Sequence, residues 1–198
     1  MNERTVQGSD SGVIEESLID PAVFAVLFDR HYERIWRYVC RRAGPATADE
    51  LASETFARAF AARAQYDRAR LDASPWLYGI ATNLLRGHRR AESRRMRAYA
   101  RAAEPAESHG GLDGVEQRVD AAARAPRVAA ALASLKSADR DAVLLLALAG
   151  LDYEAIAIAT GVPVGTVRSR LSRARRQLQH KLGLAQATAS RTTERSHP

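Results

Sequence analysis

Five arginines stand within nine residues in Arg168-Ser169-Arg170-Leu171-Ser172-Arg173-Ala174-Arg175-Arg176, with Thr166 just ahead of them. Guanidinium groups at this density neutralise phosphates, and a planar donor fork can also meet the guanine edge in a major groove bidentately. Val167, Leu171, Ala174, Leu178 and Leu182 recur every three or four residues and so share one buried helical stripe. That leaves Arg168, Ser169, Ser172, Arg173, Arg175 and Arg176 facing outward. Immediately upstream, Asp152 to Thr160 has the length of a short helix, and Gly161 can take the positive φ of a tight turn. Ala157 is small enough for a second helix to cross closely, so the pair has the form of a helix-turn-helix. A solvated basic helix competes with this reading; the turn and the absence of any acid between Arg168 and Lys181 favour DNA.

A second basic constellation lies far from the first. Arg86 to Arg101 holds seven arginines and one glutamate, including Arg86, Arg89, Arg90, Arg94 and Arg95. Each basic stretch carries a net +6 against +7 for the whole chain, so the remainder is net −5. Charge concentrated in two blocks on an otherwise acidic protein implies two contacts with a polyanion. Trp76, Tyr78 and Asn83 precede the second block; an aromatic after a proline is commonly core, and Trp76 has that reading beside any functional one. Asp49, Glu50 and Glu54 form an acidic face, either hydrated or turned to a basic partner.

Enzymatic and metal chemistry find little support. One cysteine, Cys40, excludes an internal disulfide and a multi-thiolate zinc site, and the five histidines are scattered. No catalytic set surrounds the carboxylates, and Gly110-Gly111-Leu112-Asp113-Gly114 lacks the Lys-Ser/Thr sequel of a phosphate loop. The expectation is a non-enzyme with no cofactor and no metal. No apolar run approaches membrane-spanning length, and Met1 to Ser17 has no apolar core of a signal peptide. These features predict a cytoplasmic protein without membrane insertion.

The elements that must position these groups are helical. Asp20-Pro21 caps a first helix with Phe24, Leu27, Phe28, Ile35, Trp36 and Val39 at helical spacing up to Gly44-Pro45. Thr47 to Glu50 has capping-box spacing, and Leu51, Thr55, Phe56, Ala59 and Phe60 continue a second stripe to about Tyr66. A polar loop, Asp67 to Ala73, leads to Ser74-Pro75 and a third helix with Leu77, Ile80, Ala81, Leu84 and Leu85 inward. Val128, Ala131, Leu132 and Leu135 form a later stripe, Ser137 a cap, and Val143 to Leu148 a buried helix stopping at Gly150. The fold class predicted is all-α, two small helical domains joined by a flexible linker. Residues 1–19 are expected to be disordered, 20–100 to form the first domain, 101–126 the acidic linker, 127–183 the second domain, and 184–198 a disordered tail.

Two motifs in one order make the pattern specific. Tyr153-Glu154-Ala155-Ile156-Ala157 followed by Val164-Gly165-Thr166-Val167-Arg168-Ser169-Arg170-Leu171-Ser172-Arg173-Ala174-Arg175 resembles region 4 of bacterial RNA polymerase sigma factors of the extracytoplasmic-function (ECF) group. Asp49-Glu50-Leu51 with Glu54-Thr55-Phe56 resembles the polymerase-docking segment of region 2, and Pro75 to Asn83 its promoter-melting segment. The chain departs from the pattern at Lys136, where Pro is common, and at Ser53, where Gln is common.

The resemblance implies an alternative sigma factor that directs core RNA polymerase to a restricted promoter set. Asp49, Glu50, Leu51, Glu54 and Phe56 would dock on the β′ clamp helices, with the β flap as a second polymerase contact. Asp67, Arg68, Trp76, Asn83, Arg86, Arg89 and Arg90 would hold the melted minus-ten strand. Arg168, Ser169, Ser172 and Arg173 would read the minus-thirty-five duplex, while Thr166, Arg170, Arg175 and Arg176 position its backbone. Promoter DNA and an anti-sigma factor are the further partners implied. A stand-alone helix-turn-helix regulator and a sigma mimic that sequesters an anti-sigma factor are the alternatives; the first needs a dimer surface, the second no pair of basic faces.

Overall fold

Ser9 caps the first helix, its Oγ accepting from the Gly12 amide at 3.2 Å, and Val13 and Ile14 on that helix are fully buried. This helix, α1, spans Asp10–Glu16. In the computed structural model residues 8–102 and 119–183 are described, with side chains described over 8–98 and 126–183. Helix α1 corrects the expectation of a disordered start: two apolar side chains within one capped turn suffice to dock a short helix on a neighbouring core.

Asp20 then caps a 3₁₀ turn over Pro21–Phe24 through the Ala22 amide, and the chain passes directly into α2, Ala25–Ala43. Gly44, with φ of 82°, ends α2, and Pro45 opens α3, Pro45–Ala62. The expected capping box at Thr47 is not formed. Proline at the first helical position starts the helix earlier and leaves Thr47 inside its first turn. A 3₁₀ turn, Arg63–Gln65, and the loop to Ala73 lead into α4, Ser74–Ala102.

Helix α5 covers Val119–Ala133 with Pro126 inside it, so the second bundle begins before the proline rather than after it. Of its expected stripe, Val128 is exposed, while Ala131 and the following Leu135 are buried. Helix α6, Ser137–Ala149, has Lys136 at its N-cap position and Ser137 as its first helical residue. Its end at Gly150 and that of α7, Tyr153–Thr160, at Gly161 are both left-handed caps, as the glycines predict. Helix α8 runs Val164–Leu182. Of the expected linker 101–126, residues 101–102 belong to α4 and 119–126 to α5, which narrows it; 103–118 and the expected tail 184–198 lie outside the described residues.

Helices α2, α3 and α4 pack together as one bundle, α5 to α8 as another. Leu27, Ile35, Leu77 and Leu85 are the fully buried anchors of the first; Leu145, Ile156 and Val167 are those of the second. The two bundles also touch each other: α4 lies on α7, and α6 on both α2 and α4. The crossing is closest at Gly79, where an added Cβ would stand 2.6 Å from the Ala159 carbonyl oxygen.

Candidate nucleic-acid interface

Helix α8 presents the expected face. Val167, Leu171 and Ala174 are buried against the second bundle, and Arg168, Ser169, Ser172, Arg175 and Arg176 are exposed on the opposite side. Thr166 and Arg170 are half-buried at the margin. The Thr166 amide is bonded to the Pro163 carbonyl, which fixes the entry of the helix, and Ser169 Oγ donates to the Thr166 carbonyl at 2.9 Å.

Arg173 differs from its neighbours. Its Nε and Nη2 donate to the two carboxylate oxygens of buried Asp139 at 2.7 and 2.6 Å, a fork-to-fork pair that ties α8 to the first turn of α6. The Arg173 guanidinium holds the Asp139 carboxyl below the usual carboxylate range. Nη1 of Arg173 has no hydrogen-bond partner among the described residues.

The candidates on the first bundle divide by depth. Leu51 and Phe56, grouped above with the docking acids, are buried core residues that offer a partner little surface. Both stand at the edges of the buried stripe Ala48, Leu51, Ala52, Thr55, Phe56 and Ala59, while Glu50 and Glu54 turn away from it. Asp49 accepts from the Trp36 indole at 2.7 Å, and Glu54 pairs with Arg58 at 2.7 Å. Glu50 and Glu54 on α3 face Asn83 and Arg90 on α4 across an open groove of about 840 Å³. The α3 wall carries Glu50, Glu54 and the Arg58 that pairs with Glu54; the α4 wall carries Asn83, His88 and Arg90. Trp76 is half-buried, its ring 5.0 Å from that of Tyr66.

Arg86 and Arg89 are already engaged. Asp141 of α6 reaches into the first bundle, where one carboxylate oxygen bonds Arg42 Nη2 and the other accepts from Arg86 Nε at 2.5 Å. Arg42 also donates to the Tyr38 hydroxyl, which bonds Thr82 Oγ1 at 2.8 Å. Arg89 donates to the Arg42 carbonyl oxygen at 3.2 Å. Desolvation, followed by the nearby charges of Arg42 and Arg140, pushes the Arg89 pKa down. The side chains of Arg42 and Asp141 are each 1% exposed, so their pairing is sealed from water.

The loop Asp67–Ala73 is held at both ends by α1. Asp10 donates its amide to the Leu71 carbonyl at 3.0 Å, and its Oδ2 accepts from the Ala73 amide at 3.0 Å. Ser11 Oγ donates to the Arg68 carbonyl at 2.7 Å, and Arg68 pairs with Glu15 at 3.2 Å. Within the loop, Asp67 accepts from Ala69 N at 3.2 Å and pairs with Arg70 at 2.8 Å. Sequence analysis missed Asp10, Ser11, Asp139 and Asp141. Only the first two carry a local signal, a Ser9 cap followed by two apolar residues.

Asp10, His31 and Asp72 bring their ligand atoms within 4.8 Å of one another. The set is ill suited to a cation, because Asp10 Oδ2 is spent on His31 Nε2 at 2.7 Å and on Ala73, and Oδ1 on Arg30 at 3.1 Å. Burial alone would raise the Asp10 pKa; hydrogen bonds from His31, Ala73 and Arg30 and the charge of His31 outweigh it and bring the value from 3.8 to about 2. A depressed folded-state value means stability present in full above the unfolded value and lost as pH falls through the folded one. Stability should therefore drop between pH 3.8 and about 2, and Asp10→Asn should flatten that part of the curve. Urea midpoints across this range check it; parallel curves for the two proteins would remove Asp10 from the explanation.

The Sigma-70 region 2 family model matches residues 27–95 and the Sigma-70 region 4 model residues 126–178. The chain is 37% identical over 144 residues to the ECF RNA polymerase sigma factor SigC of Mycobacterium tuberculosis, covering 71% of this chain and 73% of that protein. It belongs to the ECF group of sigma-70 family factors.

The ECF RNA polymerase sigma-E factor of Escherichia coli K12 is similar over more of the length, 32% identical over 171 residues, 82% of this chain and 88% of the relative. Among solved structures, CnrH in complex with the cytosolic domain of CnrY shares the fold with a TM-score of 0.61 at 22% identity, covering 88% of this chain and 97% of CnrH. The sigma factor RpoE of Bartonella quintana, solved with the anti-sigma factor NepR, gives 0.57 at 23%, covering 81% and 96%. The sigma factor described here is thus an alternative sigma factor directing transcription initiation, all-α, with region 2 on α2 to α4 and region 4 on α5 to α8. No helix among its described residues is long and apolar enough to cross a membrane.

Proposed function

We propose that this sigma factor acts in the cytoplasm as a non-enzymatic initiation factor, binding core RNA polymerase and selecting promoters at two elements. The observation that carries the proposal is the exposed Arg168-Ser169-Ser172-Arg175-Arg176 face on the second helix of the helix-turn-helix, directly opposite its buried stripe. Arg168, Ser169 and Ser172 read bases of the minus-thirty-five element in the major groove, and Thr166, Arg170, Arg175 and Arg176 contact phosphates. Arg173, oriented by Asp139, sets the helix angle and offers Nη1 to the backbone.

On region 2, Asp49, Glu50 and Glu54 meet the β′ clamp helices, and Asn83, Arg90 and the loop Asp67–Ala73 take the melted minus-ten strand. Arg86 joins the strand once Asp141 has left it, and Arg89 once it releases the Arg42 carbonyl oxygen. Unstacking a base costs a few kcal/mol per step, and the Asn83 amide with the Arg90 guanidinium on α4 is suited to offset it. The β flap holds region 4 apart from region 2. An anti-sigma factor is the expected inhibitor, as in the solved RpoE–NepR pair.

Arg168→Ala should lower transcription from a minus-thirty-five-dependent promoter by roughly tenfold or more, the loss of a bidentate base contact of about 1–3 kcal/mol. Multi-round transcription with core polymerase measures it, and co-purification with core should be unchanged. Undiminished transcription would reject the role of the α8 face. Tight, specific promoter binding by the free protein would point instead to a stand-alone regulator.

A further inference from the structure

Helix α1 makes polar contacts with both ends of one loop. Its first residue, Asp10, closes the loop's C-terminal side from two directions, by its amide on the Leu71 carbonyl and by its carboxylate on the Ala73 amide. Ser11, next in sequence, takes the Arg68 carbonyl near the other end, and Glu15, one turn on, takes the Arg68 guanidinium. The anchor is itself fixed. Val13 and Ile14 bury α1 in the core, and His31 and Arg30 of α2 hold the Asp10 carboxylate at 2.7 and 3.1 Å. Ser74, the first residue of α4, lies 3.3 Å from the other nitrogen of the same His31 ring. The rigid side of the loop thus reaches from α1 through α2 to the start of α4. Its outer residues, Asp67, Arg68, Ala69, Leu71 and Asp72, are left exposed.

A loop whose outer side chains are exposed and whose backbone is pinned at both ends is preorganised for a ligand rather than packed away. We infer that Asp10 and Ser11 are positioning residues for promoter selectivity: they hold the backbone of Asp67–Ala73 in the shape that discriminates the unstacked minus-ten base, without touching DNA. The inference rests on the proposed assignment of this loop to the minus-ten strand. It makes α1, which lies ahead of the region 2 match at 27–95, a working part of the recognition site. Loosening the clamp lets the loop accommodate other bases, so selectivity falls further than activity on the best promoter.

The experiment uses the full-length chain with core polymerase and a promoter library randomised at the minus-ten element. The variants are Asp10→Asn, Ser11→Ala, the loop variant Asp67→Ala, and Leu145→Ala, which destabilises region 4 far from the loop. Ser11→Ala removes a single part-buried hydrogen bond and keeps the fold testable if Asp10→Asn folds poorly. Amide exchange at Ala73 reports the clamp directly. Expected are a roughly tenfold loss of discrimination between the best and second-best base in Asp10→Asn, a smaller loss in Ser11→Ala, and faster exchange at Ala73. Core co-purification should be unchanged, and Leu145→Ala should keep its preference despite its lower Tm. If Asp67→Ala shifts the preference and neither clamp variant does, the positioning role is overturned while the loop assignment stands. If none of the loop and clamp variants shifts it, the loop assignment fails and takes this inference with it. A preference flattened equally in Leu145→Ala would show only a general effect of instability and would also overturn it.

Discussion

Asp141→Ala should separate region 2 from region 4. The side chains of Arg42 and Asp141 are almost completely buried, and Arg42 Nε has no hydrogen-bond partner among the described residues even with the pair intact. Removing one member of a buried pair costs about 3–5 kcal/mol, because the remaining charge has neither water nor a counter-ion. The chain can avoid that cost by opening, which hydrates Arg42 and leaves the anchors of both bundles, Leu27, Ile35, Leu145 and Ile156 among them, in place. The expected result is a larger radius of gyration by small-angle scattering and faster amide exchange where α4 meets α7, with helix content retained. Arg86 is released at the same time, so the isolated variant should bind single-stranded minus-ten DNA more tightly than the parent. Replacing Arg42 by Met and Asp141 by Leu together should restore closure, since an apolar pair of similar volume often equals a buried ion pair. An Asp141→Ala protein with the radius and exchange of the parent would show that the pair does not hold the regions together.

Gly79→Ala is expected to have the opposite sign from a helical glycine substitution elsewhere. In the interior of a long helix such as α4 the change should gain about 0.8–1 kcal/mol from backbone entropy and propensity. Here the new Cβ would lie 2.6 Å from the Ala159 carbonyl oxygen and 3.3 Å from the Ala159 Cα, backbone atoms that no rotamer change can move aside. Helix α7 must shift, and overpacking of this kind costs about 1–3 kcal/mol. The substitution should therefore strengthen α4 and weaken its docking on α7. Gly79→Leu should abolish the docking. Exchange measured separately on α4 and α7, with scattering for overall size, separates the two effects. A rise in stability of the full chain without any expansion would refute the close crossing.

These substitutions mark where a reading of the chain by itself stops. Glycine at 79 resembles a weak point in an otherwise good helix until the neighbour that needs its missing side chain is known. A close approach that no local pattern marks occurs at Ala159, half a turn beyond Ala157 on the same helix, against a helix of the other bundle.

What the sequence by itself determined is local in origin. The spacing of Val167, Leu171 and Ala174 predicts which face of α8 is buried, and Gly150 and Gly161 predict where α6 and α7 end, because periodicity and positive φ are properties of a few adjacent residues. The exposure of Arg168, Arg175 and Arg176 follows from that stripe. The availability of each arginine does not. Arg173 meets Asp139 across 34 residues, and Arg42 meets Asp141 across 99, so which cations are already paired was decided by tertiary packing alone. The same holds for Leu51 and Phe56, which share a motif with surface acids but a core with α2 and α4, and for Asp10, whose partners at Ala73 and His31 lie beyond any helical repeat. A helical period fixes the direction in which a side chain leaves its own backbone; the charge or carbonyl waiting there is supplied by whichever distant segment the fold brings to that side.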